Sequence, residues 1–346
     1  MLSGARDDLL AAAAAGDETA FGELIDPHRA ELCAHCYRML GSLHDAEDAL
    51  QEALLRAWRG LPGFEGRSSV RTWLFAIATN AALDIASHRS RRELPVDFGP
   101  AAGSGAGMGE PIADPIWLEP FPDRLLPEER YEQRESIELA FLVALQGLPP
   151  LQRAVFLLRE VLGFSAAEIA GQLGGSVPSV TSALQRARVR VQQAKCGESQ
   201  QATLRALGDE RLRDTVRRYS DALEHGDADA LIGMLTQDAT WSMPPIPTWF
   251  RGHAAIRYFL ERWPFTDQWR HVPVRANGQL ALACYVLDPD SGSYRPAVVD
   301  VLTMAGEQIC GVTAFMTLDG FGWPQTDSQL TGTELFARFR LPPSLD

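Results

Sequence analysis

The sequence predicts a multidomain chain: two all-α helical domains followed by a C-terminal α+β domain. Three observations lead there. Apolar residues recur at helical spacing through residues 8–93 and again through 137–196. A stretch rich in Gly, Pro and acids, 94–136, separates these two domains. Over 209–320 helical segments give way to short β-like runs, the order of an α+β layout, and 321–346 is left as a tail. A length of 346 residues accommodates two or three domains.

Composition narrows the class. A hydrophobic fraction of 46% and a charged fraction of 22% are ordinary for a globular protein. No apolar run reaches the ~20 residues of a membrane span, so no membrane partner is expected. The N-terminus lacks the basic-then-apolar order of a secretory signal. Five scattered cysteines (Cys33, Cys36, Cys196, Cys284, Cys310) fit a reducing cytoplasm. The net charge of −13 argues against a nucleic-acid binder only as a single number. Residues 93–136 carry ten acids against three bases, whereas 67–92 hold five arginines against Asp84 alone. Local patches govern affinity for a polyanion, not the chain total.

Residues 7–40 read as helical, with Asp17 as a cap and Leu32, Cys36, Met39 and Leu40 on an apolar face. Cys33, His35 and Cys36 form a CxxC that is read as core, since no second cysteine pair lies nearby. Residues 42–60 form the next helix, buried through Leu43, Ala46, Leu50, Leu54 and Trp58. Asp45, Asp48 and Glu52 then share its outer face, flanked by Glu47 and Gln51. Such acids form either a solvated face or a docking surface for a basic partner.

In residues 68–92, Leu74, Ile77, Ala78, Ala81 and Ile85 point inward. Trp73, Asn80, Asp84 and His88 line a neighbouring side, with Arg67 and Arg71 at one end and Arg89, Arg91 and Arg92 at the other. Aromatic and amide groups beside arginines suit a single nucleic-acid strand. The alternative keeps Trp73 in the core and leaves the arginines solvated; spacing alone does not choose. The 94–136 stretch is expected to be largely mobile, except WLEPFPDRLL (Trp117 to Leu126), whose apolar groups should pack on a neighbouring domain.

Leu139, Leu142, Val143 and Leu145 build a helix that Leu148-Pro149-Pro150 breaks; Leu151, Val155, Phe156 and Leu158 build the next. Ser165 and Glu168 have the spacing of a capping box, and Gly174-Gly175 ends that helix. Val180, Leu184, Ala187 and Val191 form the inward stripe of a second helix. Ser176, Ser179, Thr181, Ser182 and Gln185 are left outside, followed by Arg186, Arg188, Arg190 and Lys195 with no intervening acid. This is a helix-turn-helix pattern, small and polar where base edges are read and basic where phosphates lie.

The motifs DAEDALQEALLRAWRG, RSSVRTWLFAIATNAALDIASHRSRR, LPPLQRAVFLLREVLGFSAAEIAGQL and SVTSALQRARVR, in that order, resemble a bacterial sigma factor of the sigma-70 family, extracytoplasmic-function group. The resemblance spans roughly residues 8–195. It implies a sigma-2 domain, 8–93, and a sigma-4 domain, 137–196. It implies that Asp45, Glu47, Asp48, Gln51 and Glu52 dock on the polymerase β′ clamp. It implies that the Trp73–Arg92 helix opens and reads the −10 element, and that the Ser165–Arg190 unit reads the −35 element. The partners are then core RNA polymerase, through its β′ clamp and β subunits, and promoter DNA. No catalytic residue, cofactor or metal is expected. An ordinary helix-turn-helix regulator is the first rival; it leaves Asp45–Glu52 and Trp73–Arg92 without a task.

After Glu210 the pattern changes. Leu212, Val216, Tyr219 and Leu223 form a helix, and β segments are expected at 238–243, 270–276, 279–287, 297–304 and 308–317. The series YSDALEHGDADALIGMLTQDATWSMPP…WFRGHAAIRYFL resembles the SnoaL-like cone, placed at 209–320. Some sigma factors of this group carry such an extension in place of control by a separate anti-sigma protein. Trp241, Trp249 and Phe250 are expected to line its pocket. Asp238, His253, His271 and Asp300 are its ionisable candidates, Asp300 being read as an edge-strand carboxylate facing water. A cyclase-like enzyme with a DNA-binding appendage is the second rival.

Overall fold

The computed structural model describes residues 2–112, 116–126, 135–194, 199–324 and 330–346. They fall into two compact units: Met1–Arg91, Leu125–Ser136 and Ala140–Lys195 in the first, and Arg92–Arg124, Ile137–Leu139 and Cys196–Asp346 in the second.

The first unit is helical. Its helices are α1 (Leu2–Ala14), α2 (Glu18–Leu40), α3 (Leu43–Gly60), α4 (Val70–His88), α5 (Leu139–Gln146), α6 (Pro150–Phe156), α7 (Ala166–Gln172) and α8 (Val177–Ala194). Side chains cap several of them, Asp17 as the sequence expects. Asp17 accepts from the amides of Thr19 and Ala20, Ser42 from Asp45, and Ser69 from Thr72. Gly41, at φ 70°, turns the chain out of α2 into α3.

Leu32, Tyr37, Met39, Leu43 and Phe75 are buried where α2, α3 and α4 meet. Cys33 and Cys36 belong to the same core, and burial pushes the Cys33 thiol up to about 12. His35 Nε2 lies 2.9 Å from Thr79 Oγ1, whose proton goes to the Phe75 carbonyl, so the imidazole is the donor. Burial pulls its pKa down to about 3 and keeps it neutral.

A buried arginine that the hydrophobic pattern does not flag closes α5. Arg153 donates to the carbonyls of Leu145 at 2.9 Å and of Gln146 and Leu148 at 3.1 Å, satisfying helix-end acceptors.

The second unit is α+β. A six-stranded sheet runs in the order β2-β1-β6-β5-β4-β3, with β1 (Leu235–Met243) parallel to β6 (Gln308–Met316) and every other pair antiparallel. β3 is Trp269–Ala276, β4 Gln279–Leu287 and β5 Tyr294–Ala305. β2 (Ile246–Arg251) was hidden by its proline-rich sequence; it folds back on β1 after the cis Pro244-Pro245 bond and pairs Phe250 with Trp241.

Helices α9 (Gln200–Glu224, broken at Gly208), α10 (Ala228–Gly233) and α11 (His253–Arg262) pack on one face of the sheet. They bury Tyr219, Leu231, Ile256 and Phe259 against Trp241, Leu282 and Leu302. α12 (Gly332–Arg338) sets Phe336 edge-on against Tyr285, ring centres 4.8 Å apart.

The described part of the 94–136 stretch is hydrogen-bonded to the second unit at several points. β2 is an edge strand, and its free carbonyls attract the backbone amides of this strap. Ala102 N donates to the Trp249 carbonyl at 2.8 Å and Ile112 N to that of Pro245 at 3.0 Å. Trp117, Leu118 and Phe121 are buried, as the apolar content of WLEPFPDRLL predicts. Asn277 anchors the strap's end: its amide N–H donates to the Phe121 carbonyl and its side-chain oxygen accepts from Phe121 N.

Candidate functional site

The acidic face of α3 begins later than the spacing predicts. Asp48 and Glu52 point outward, with side chains 57% and 47% exposed, and Gln51 is exposed beside them. Glu47 is half-buried. Asp45 is a correction: it lies in the first turn of α3, where Ser42 receives its amide, and its carboxylate is 3% exposed and 3.4 Å from Arg89. The first turn faces the protein because α3 enters directly from Gly41-Ser42.

On α4, Asn80, Asp84 and His88 are exposed along one side, and Trp73 is half-buried against Phe64, ring centres 5.0 Å apart. Arg67 is exposed and pairs with Glu65 at 3.0 Å. Arg91 is exposed as well. Two arginines are committed inside the protein instead. Arg71 makes a two-pronged pair with Glu31, at 3.1 and 2.7 Å, and its guanidinium lies 4.9 Å from the rings of both Phe75 and Phe164. That geometry fits a structural clamp, since planar guanidinium both forks to carboxylate and stacks on aromatics. Arg92 is 3% exposed and donates to the Trp117 carbonyl at 2.8 Å, with Glu119 at 3.5 Å. It anchors the strap, and its place beside Arg91 in sequence gave no sign of that.

The helix-turn-helix forms as read. Ser165 accepts from Glu168 N and Glu168 from Ser165 N, a complete capping box. Gly174, at φ 63°, makes the turn, and Ser176 Oγ accepts from Ser179 N. Val180, Leu184, Ala187 and Val191 are buried. Ser176, Ser179, Thr181, Ser182, Gln185, Arg186, Arg188 and Arg190 are all exposed. Arg188 pairs with Glu160 at 2.7 Å. Lys195, the last charge of the basic run, lies outside the described residues.

The second unit holds a cavity of about 140 Å³ between the sheet and its helices. Trp241, Phe259, Trp263 and Trp269 line it, with Asp300 and His271 among them. Asp300 corrects the edge-strand expectation: β5 is interior, Asp300 pairs with Leu282 and Ala314, and it is 4% exposed. Its Oδ2 accepts from the Tyr219 hydroxyl at 2.9 Å. Burial pushes this carboxyl up to about 6. His271 Nδ1 is 3.0 Å from Glu224, whose own pKa is held down by that hydrogen bond.

Phe250 stacks behind the lining on Phe259, and Trp249 faces the strap, donating to the Gly99 carbonyl at 2.8 Å; neither lines the cavity. Asp238 is exposed near Arg251, and His253 binds backbone carbonyls of Leu235 and Thr236. Sequence reasoning missed Tyr219 and Glu224 as site residues. A tyrosine within the apolar stripe of α9 was the available signal, because a buried hydroxyl needs a partner.

Comparisons with known proteins match both units. The family model "Sigma-70 region 2" matches residues 24–92, "Sigma-70, region 4" matches 138–191, and "SnoaL-like domain" matches 216–312. The extracytoplasmic-function RNA polymerase sigma factor SigG of Mycobacterium tuberculosis is 40% identical over 342 residues, covering 94% of this chain and 85% of its own. SigW of Bacillus subtilis is 32% identical over 178 residues, 50% of this chain and 87% of its own. The crystal structure of SigJ, an extracytoplasmic-function sigma factor of Mycobacterium tuberculosis, superposes with a TM-score of 0.55 at 21% identity, covering 88% of this chain and 99% of that one.

Proposed function

The chain belongs to the extracytoplasmic-function RNA polymerase sigma factors, and from that premise we propose how its surfaces divide the work of starting transcription at chosen promoters. A sigma factor supplies specificity, while the bond-making belongs to core polymerase. Residues 8–93 act as the sigma-2 domain. Asp48 and Glu52, with Glu47 and Gln51, meet the basic clamp of the β′ subunit, and Asp45 holds the start of α3 against Arg89 rather than touching the partner. On α4, Trp73, Asn80, Asp84 and His88 face the opened −10 strand, with Arg67 and Arg91 on its backbone. Arg71 and Arg92 serve the fold.

Residues 137–196 act as the sigma-4 domain. α8 enters the major groove at the −35 element, with Ser179, Ser182 and Gln185 toward base edges and Arg186, Arg188 and Arg190 toward phosphates. The observation that carries this reading is the division of α8, with its apolar stripe buried and Ser179, Thr181, Ser182, Gln185, Arg186, Arg188 and Arg190 all exposed.

Residues 209–320 act as a built-in regulator rather than as an enzyme, in place of a separate anti-sigma protein. No described helix is long and apolar enough to cross a membrane, and a partner of core polymerase acts in the cytoplasm, where that enzyme works. Copurification with core polymerase separates this reading from that of a free-standing helix-turn-helix regulator. Retention of core enzyme by the wild type and its loss with Asp48→Arg plus Glu52→Arg are expected; equal retention by both discards the docking face.

A further inference from the structure

The cavity of the second unit has an unusual wall. Beside its tryptophans and Phe259 it is lined by Met108, which belongs to the strap joining the sigma-2 and sigma-4 domains in sequence. The strap is held close by, through the Ala102 amide on Trp249 and the Ile112 amide on Pro245. At the floor the buried Asp300 carboxyl, already bonded by Tyr219, faces the same space as His271, while Thr266 and Asp267 line the cavity from exposed positions. An apolar cavity of about this size stays dry and takes up a small aromatic molecule, as an engineered cavity of roughly 150 Å³ takes up benzene.

We propose that this cavity binds a neutral, planar molecule of one or two rings bearing one hydroxyl, and that Met108 makes the strap part of the binding site. The inference rests on reading the second unit as a regulator and names what it would sense. Flat aromatic walls select a flat ligand, and a carboxylate at the floor accepts from a hydroxyl and repels an anion. A ligand touching Met108 must change the free energy of strap packing by its differential affinity for the packed and unpacked states. The strap lies in sequence between the two promoter-reading domains, so a change in its packing alters the tether that joins them.

The probes are 2-naphthol, naphthalene and 2-naphthoate, added to the full chain and followed by quenching of tryptophan fluorescence. The expected result is 2-naphthol binding at least tenfold tighter than naphthalene, with 2-naphthoate weakest. Asp300→Asn should remove most of the preference for 2-naphthol over naphthalene. Trp263→Ala, which leaves the carboxyl alone, should weaken the two neutral probes together. Hydrogen exchange at the Ala102 and Ile112 amides should change with 2-naphthol and not with 2-naphthoate. Equal binding of the three probes, or no binding by any, overturns the site. Binding without any change in exchange overturns the role of the strap. Neither readout uses polymerase, so failure here is distinct from failure of the promoter-docking reading.

Discussion

The Tyr219 hydroxyl donates to Oδ2 of Asp300 at 2.9 Å, joining α9 to the middle of the sheet beside a cavity walled mainly by apolar groups. Burial holds the folded carboxyl up at about 6, against roughly 4 in an unfolded chain. Below pH ~4 both states are protonated and the group is neutral in its effect. As pH rises, the unfolded chain loses its proton first, so stability falls, and above pH 6 a penalty on the order of 3 kcal/mol is in place. Asp300→Asn should therefore gain stability relative to the wild type between pH 4 and pH 7 in urea denaturation. A difference that stays constant over that range contradicts the account.

Tyr219→Phe leaves the same carboxyl without its donor. A loss of about 1–3 kcal/mol is expected at pH 7, because a buried acceptor is deprived of its partner. The loss should shrink near pH 4, where the carboxyl is protonated. Urea midpoints at the two pH values check both statements.

Asp45 and Asp48 are three residues apart and should respond differently. Asp48→Arg reverses a charge on an exposed side chain, so the fold should survive while affinity for core polymerase falls about tenfold or more. Asp45→Arg puts a second cation against Arg89 in a buried position, and about 3–5 kcal/mol of stability should go. Thermal unfolding and a pull-down with core enzyme, run on both variants, distinguish the two roles. Equal behaviour in both assays contradicts the division.

Arg188→Ala and Gln185→Ala test the two tasks of α8. The arginine variant should bind all promoter sequences more weakly and show a shallower salt dependence, by about one unit of slope. The glutamine variant should change which −35 sequences are preferred, by roughly 1–3 kcal/mol at the affected base pair. Binding isotherms of the polymerase complex on a set of single-base promoter variants, at several salt concentrations, report both.

Arg92→Ala should leave duplex binding unchanged and loosen the strap, because its guanidinium holds the Trp117 carbonyl and lies near Glu119. Faster proteolysis within residues 93–124 is the expected sign. A loss of promoter affinity with the strap intact would return Arg92 to the DNA-binding set.

Helix boundaries and the helix-turn-helix were legible because local chemistry decides them: Ser165 with Glu168, Gly174, and the stripe through Val180 and Val191. The sheet unit was legible as a class, but its interior was not. Asp300 looked like an edge residue because strand order is set by pairings between distant segments, which no local pattern encodes. β2 was missed because Pro244 and Pro245 mask the alternation that follows them. The roles of Arg71, Arg92 and Arg153 were hidden for a different reason. An arginine reads as solvated from its charge alone, and only tertiary structure shows Glu31, the Trp117 carbonyl or a helix end waiting for it. The strap's hydrogen bonds go to an exposed sheet edge, a partner invisible in the strap's own Gly-rich sequence.

Run-off transcription with purified core polymerase on fragments of genomic DNA addresses the central claim most directly. The wild-type chain should produce transcripts from defined start sites, and the Asp48→Arg, Glu52→Arg variant should not, although it folds. Absence of any site-specific transcript with the wild type, or full activity of the variant, would contradict the account.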